Sequence, residues 1–235
     1  MKETWTLARR ELNAAFDSPT AYVVLFVFLL ITGWFFGNGL FLEHVASLRT
    51  VFSLAPIIFM FFVPAITMAS FAEERRGGTL ELLLTLPVRD WQVILGKLLA
   101  VTILLWTAIG LTAVYALTIA GLGNPDNGAV TGGYLGLMLL SLAYGAIGMF
   151  SSSLTRNQIV AFVIGFALIF TLFMLDKITA FLPGAIGGLL EYLSIDFHYQ
   201  NLLRGVIDSR DILYYLSVTL VACLLTAYNL ARRPE

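Results

Sequence analysis

Six apolar runs, each about as long as a lipid bilayer is thick, leave this sequence few ways to fold. They lie at residues 20–42, 52–72, 98–121, 133–154, 159–182 and 212–231. A helix of about 20 mostly apolar residues crosses a bilayer core. At that depth every backbone N–H and C=O must be bonded within the protein, which a single helix achieves for itself. Composition agrees. Of 235 residues 59% are hydrophobic and 12% charged, against about 25% charged in soluble domains. The expected class is an all-α integral membrane protein with six transmembrane helices, forming a single domain over residues 1–235.

Lysines and arginines set the orientation. Lys2, Arg9, Arg10, Arg75, Arg76, Arg89, Lys97, Arg156, Arg232 and Arg233 fall on one side of six such spans; Arg49, Lys177, Arg204 and Arg210 fall on the other. Ten cations against four put both termini in the cytoplasm, and the long connection 183–211 outside with His44 and His198. The first run starts near Thr20, behind a charged helical stretch, so a retained span is expected rather than a cleaved leader. Ser18 and Pro19 suit an N-cap and first helical position, and Asp90 suits the cap of a long helix entering the third span. The single cysteine, Cys223, lies in an apolar run and reads as a packing residue.

Several segments are not simple spans. In 3–16, Trp5, Ala8, Leu12 and Phe16 recur at helical spacing with Arg9, Arg10 and Asn13 elsewhere, which suits an amphipathic helix lying in the cytoplasmic interface. The stretch EERRGGTLELLLTLPVRDWQVILGK (73–97) holds a short apolar helix, 79–86, between Gly77-Gly78 and Pro87. Leu80, Leu82, Leu83, Leu84 and Leu86 clothe it on nearly every side, so it must be covered. The residues alone leave two covers open: another protein, or its own bundle. The link SSSLTRNQ (151–158) holds cap-forming Ser, Thr and Asn. The connection 183–211 reads as two short outer helices.

Asp176 and Lys177 form a possible intramembrane pair near the outer end of the fifth span, the one place where ionisable residues invite a functional reading. Glu191, Asp196 and His198 are too irregularly spaced for a metal site and read as solvated loop residues. Gly33 with Gly37, and Gly132, Gly133, Gly136, Ser141, Gly145 and Gly148, mark helix faces that pack closely. No GxxxxGK[ST] phosphate loop occurs, so any ATP is bound by a partner. An intramembrane metalloprotease is excluded: His44 and His198 are expected roughly 30 Å, the thickness of the bilayer core, from Glu73 and Glu74. Scattered methionines give no metal path.

The blocks FAEERRGGTLELLLTLPVRDWQVILGK (71–97), SSLTRNQIVAF (152–162), RGVIDSRDILYYLS (204–217) and ARRELNAAFDSPTAYVV (8–24) give the chain a resemblance that spans nearly its whole length. It resembles permease subunits of ABC-2 type transporters, in the gliding-motility and nitrous-oxide-reductase-maturation branch (GldF-like, NosY-like). The resemblance implies a coupling helix at 78–86, docked on a cytoplasmic ATPase subunit through Glu73, Glu74, Gly78, Thr79, Leu80, Glu81, Leu82, Leu83, Leu84, Thr85 and Leu86. It makes Leu154, Thr155, Arg156, Asn157 and Gln158 a second coupling contact. It implies a second permease subunit, identical or different, with ATP and magnesium held by the partner ATPase and no cofactor in this chain. The setting is the bacterial cytoplasmic membrane.

The expected function is therefore a non-catalytic permease subunit of an ATP-driven exporter. The alternative is mechanotransmission, in which the motion works on an accessory protein at the outer face and nothing crosses. The bilayer is the remaining partner; no nucleic acid is expected.

Overall fold

The computed structural model describes residues 2–41, 47–78, 89–123, 126–179 and 184–231. Among these residues the structure is entirely helical, without strands. The helices are α1 (Lys2–Asp17), α2 (Pro19–Phe41), α3 (Arg49–Thr67), α4 (Ala69–Gly77), α5 (Asp90–Leu111), α6 (Ala113–Leu122), α7 (Asn127–Ser153), α8 (Gln158–Thr179), α9 (Ala185–Leu193), α10 (Ile195–Leu203) and α11 (Ser209–Ala231). Six stretches are long and apolar enough to cross a membrane: α2, α3 with α4, α5 with α6, α7, α8 and α11. The chain is an all-α integral membrane protein.

The helices overrun several of the apolar runs. The second span reaches from Arg49 to Gly77, the third from Asp90 to Leu122, the fourth starts at Asn127 and the last at Ser209. Hydropathy marks the residues at bilayer depth, whereas helices continue into polar ends. Asp90 does not cap α5. The cap is Arg89, in extended conformation, and Asp90 is the first helical residue, where its negative charge suits the helix dipole.

At the centre stands α7, packed against α3, α4, α5, α8, α10 and α11. Its glycines make this possible. A side chain on Gly148 would run into Thr67 of α3, and one on Gly132 into the Leu202 carbonyl of α10. Helices held this closely gain dispersion contacts that larger residues would prevent. Gly33 of α2 likewise faces the Tyr115 hydroxyl, while Gly37 has open space around it. By contrast α2 buries only Ala21, Phe28 and Thr32. Phe26, Trp34 and Phe41 stay exposed, an apolar surface for lipid or for another subunit.

Two spans are broken within the bundle. The second interrupts at Met68, where the Ser152 hydroxyl of α7 donates to the Met68 carbonyl at 2.8 Å. The same oxygen accepts from the amides of Phe71 and Ala72 at 3.0 and 3.1 Å. One side chain thus satisfies backbone groups that the break would orphan. The third span interrupts at Thr112, whose hydroxyl donates to the Ile109 carbonyl at 2.6 Å.

At the end opposite the termini, α9 and α10 fold back onto the bundle. Tyr199 of α10 donates to the Phe52 carbonyl at 2.8 Å, Tyr214 of α11 to Leu193 at 2.6 Å and Tyr215 to Ile195 at 2.9 Å. Here the reading of solvated loop residues is corrected. His198 and Asp196 are buried, at 1% and 3% exposure. The His198 ring nitrogens lie 2.6 Å from the Asp211 carboxylate and 2.9 Å from the Tyr192 carbonyl, and the ring stacks on Tyr214. A buried imidazole and carboxylate persist because each has a partner.

Candidate functional site

The termini end of the bundle gathers the start of α1, the end of α4, the start of α5, the turn between α7 and α8 and the last turn of α11. The segment 79–88 connects α4 to α5 and lies outside the described residues. With it go Thr79, Leu80, Glu81, Leu82, Leu83, Leu84, Thr85 and Leu86 of the expected coupling helix. Both anchors of that segment are described.

The exit anchor is Gly78. It closes α4 in a left-handed conformation, φ 68°, with its amide donating to the Glu74 carbonyl. A residue with a Cβ is strained there, which is why glycine so often ends helices in this way. The re-entry anchor is Arg89. Its amide donates to the Gln92 side chain at 2.8 Å, and Gln92 in turn donates to Glu3 of α1 at 2.6 Å. The first turn of α5 is thereby tied to the N-terminal helix.

Between the anchors lies a buried ionic clamp. Lys97 of α5 is 5% exposed and donates to Glu74 of α4 at 2.7 Å and to Glu11 of α1 at 3.3 Å. Arg10 adds a bond to Glu11 at 2.9 Å, and the Lys97 ammonium stands over the Phe71 ring at 5.5 Å. Burial pushes the Glu11 carboxyl up, but the attraction of Lys97 and the bond from Arg10 outweigh it and hold it below its ordinary value. Three elements, α1, α4 and α5, thus meet on one ammonium.

Of the two glutamates expected to meet a partner protein, Glu74 bonds Lys97 at 2.7 Å, while Glu73 is exposed. Helix α1 was expected as an amphipathic interfacial helix with Trp5, Ala8, Leu12 and Phe16 on its apolar stripe. Of that stripe Ala8 is buried and Trp5 is 58% exposed, and beside it Leu7 and the Thr4 carbonyl approach α5 where Gly96 leaves room.

The turn after α7 is braced by side-chain bonds. Thr155 Oγ1 accepts from the Asn157 amide at 3.1 Å, and Asn157 Oδ1 from the Ile159 amide at 2.9 Å, which caps α8. Leu154, Arg156 and Asn157 are exposed, Thr155 and Gln158 half-buried. Behind the turn, Asn229 of α11 donates to the Ser153 carbonyl and hydroxyl. Arg75 of α4 donates to the Asn229 carbonyl at 3.4 Å. The turn and the end of α4 therefore form one hydrogen-bonded block.

Asp176 and Lys177 lie at the other end of the molecule. Lys177 pairs with Asp176 at 2.7 Å and with Asp196 of α10 at 2.6 Å, and Ser194 donates to Asp176 at 3.0 Å. The pair staples α8 to the start of α10. Among the described residues no cluster of His, Cys, Asp or Glu could hold a metal. Sequence reasoning missed Lys97, Glu11, Ser152 and Asn229 as organisers of the site. The one available signal was Lys97 itself, a cation set among the apolar residues that open the third span.

A profile of the family described as "ABC-2 family transporter protein" matches residues 38–194, more than half of the chain. Among curated proteins, the Probable multidrug ABC transporter permease YbhR of Escherichia coli (strain K12) is 33% identical over 111 residues, covering 47% of this chain and 30% of that protein. The Probable ABC transporter permease protein NosY of Pseudomonas aeruginosa is 27% identical over 162 residues, covering 61% of this chain and 59% of that protein. The chain thus spans less than two thirds of the length of either relative.

Proposed function

From the premise that the chain belongs to the ABC-2 family of transporter permeases, we propose that it couples a separate cytoplasmic ATPase to export across a bacterial cytoplasmic membrane. In this reading both termini are cytoplasmic. The segment 79–88 docks on the ATPase subunit, Leu154–Gln158 forms a second and smaller contact, and a second permease subunit completes the membrane unit. ATP and magnesium belong to the partner.

The observation that carries the reading is the clamp. Segment 79–88 leaves a left-handed cap at Gly78 and returns at an Arg89 pinned by Gln92. The helices on either side are joined through Lys97 and Glu74. A push applied between these two anchors would reach the second and third spans together. In this reading that joint is the element which a nucleotide-driven cycle biases between two arrangements. A second reading, force transmission to a protein at the far face, is favoured by α7. It grips α4 through Ser152 at one end and seats α10 on Gly132 at the other.

The test is a mild-detergent pull-down of the tagged chain with its ATPase, comparing wild type with Leu83→Glu and Glu81→Lys. The expected outcome is loss of most of the co-purifying ATP hydrolysis in both variants while the protein still inserts and melts normally. Full retention of coupled hydrolysis would remove 79–88 from the interface.

A further inference from the structure

The end of the bundle opposite the termini holds a cavity of about 560 Å³ between the start of α3, α6, the first turn of α7 and the end of α10. Its wall is apolar, with Phe52, Ile119 and Val130 within it and the exposed Leu117 at its edge. Two cations also line it, Arg49 and Arg204. Both are exposed, and neither guanidinium has an ion-pair or hydrogen-bond partner among the described residues.

The acid nearby does not neutralise them as a pair. Asp126 lines the same cavity, but its Oδ1 accepts from the amides of Gly128 and Ala129 at 2.9 and 3.3 Å and caps α7. Helix α3 starts at this cavity, its Arg49 amide donating to the Ser47 hydroxyl at 3.1 Å, and its dipole adds positive potential there. The level is also telling. Arg49 opens the second span and Asn127 the fourth, and the third span ends at Leu122. These helix ends place the two arginines at the membrane–water boundary and the apolar wall just inside it.

A cavity cationic at the boundary and apolar beneath is the complement of an amphiphile with an anionic head. We infer that it binds an anionic phospholipid of the leaflet on that side, with the phosphate between Arg49 and Arg204 and an acyl chain against Leu117, Ile119 and Val130. Guanidiniums suit this headgroup because they bond phosphate oxygens in pairs. The apolar wall adds affinity for each methylene it covers. Free phosphate shares the headgroup chemistry but leaves that wall uncovered. The site needs neither ATP nor a partner subunit and stands apart from the coupling reading.

The test is native mass spectrometry of the full chain in mild detergent, titrated separately with dioleoyl phosphatidylglycerol, dioleoyl phosphatidylcholine and inorganic phosphate. Phosphatidylglycerol should bind preferentially. The double variant Arg49→Gln with Arg204→Gln should weaken it about thirtyfold, from two interfacial cations. Arg210→Gln, on the same end but outside the cavity, should leave binding intact. Leu117→Trp keeps both cations and fills the apolar wall, so it should weaken the lipid without any loss of charge. Equal binding of the two lipids, or a double variant that holds phosphatidylglycerol like wild type, overturns the proposal. Inorganic phosphate binding as tightly as the lipid would mean a plain anion site and would overturn it as well.

Discussion

Lys97 shows how a single residue can organise one end of the bundle. Its ammonium bridges Glu74 and Glu11 from two other helices while only 5% of the residue is exposed. Removing one partner from a buried ion pair costs about 3–5 kcal/mol, and here Glu11 keeps its bond to Arg10, which sets the loss at the lower end. Lys97→Met keeps most of the stem volume and leaves two carboxylates close to one another. It should destabilise the protein by about 3 kcal/mol, read as a lowered thermal midpoint in detergent. Adding Glu74→Gln should recover part of the loss. A Lys97→Met protein that melts like wild type would mean that the clamp carries no load. The sequence named this residue only as one of ten cytoplasmic cations. Charge counts say which side of the membrane a residue occupies and nothing of what faces it, and Glu11 is 86 positions away. The same blindness misread His198. Its neighbours in sequence look like a solvated amphipathic turn, yet its partners Tyr192 and Asp211 come from the helices on either side.

At the scale of elements the six spans were legible, because bilayer thickness imposes a length that apolar runs must match. The breaks at Met68 and Thr112 were not, since a hydroxyl from α7 stabilises the first and local threonine bonding the second. Helix α1 was legible as an amphipathic helix, but the direction of its faces was not. Periodicity gave the stripe from Trp5 to Phe16; the neighbouring helix covers Ala8 of that stripe with Leu7 beside it and leaves Trp5 exposed. That choice depends on Gly96, where a Cβ would stand 2.9 Å from the Leu7 Cβ and 3.2 Å from the Thr4 carbonyl oxygen. Gly96→Leu should therefore drive α1 off α5. Overpacking of this kind costs about 1–3 kcal/mol, so tryptic cleavage at Arg9 and Arg10 should accelerate roughly tenfold through the opened state. Unchanged cleavage would show that α1 holds its place by other contacts.

For the whole molecule, the question is how a push at 79–88 could reach the far end. Helix α7 has 27 residues, a rod of about 40 Å at 1.5 Å per residue, and it is gripped at both ends. Near its last turn Ser152 holds the α3–α4 break through bonds to Met68, Phe71 and Ala72. Near its first turns Gly132 and Gly136 seat Leu202 and Tyr199 of α10. If the spans move as packed bodies, α4 and α10 move together through α7. Ser152→Ala should cut the first grip, at a cost of about 1–3 kcal/mol for buried backbone groups left without a partner, while leaving 79–88 free to dock. Hydrogen exchange of the reconstituted complex, with and without a non-hydrolysable ATP analogue, reads the outcome. In wild type the amides of α10 should change protection on nucleotide binding. In Ser152→Ala that response should vanish while the change at the start of α5 persists. An α10 that ignores nucleotide in wild type would confine the stroke to the termini end, and would leave the far-face helices as a fixed cover rather than a moving part.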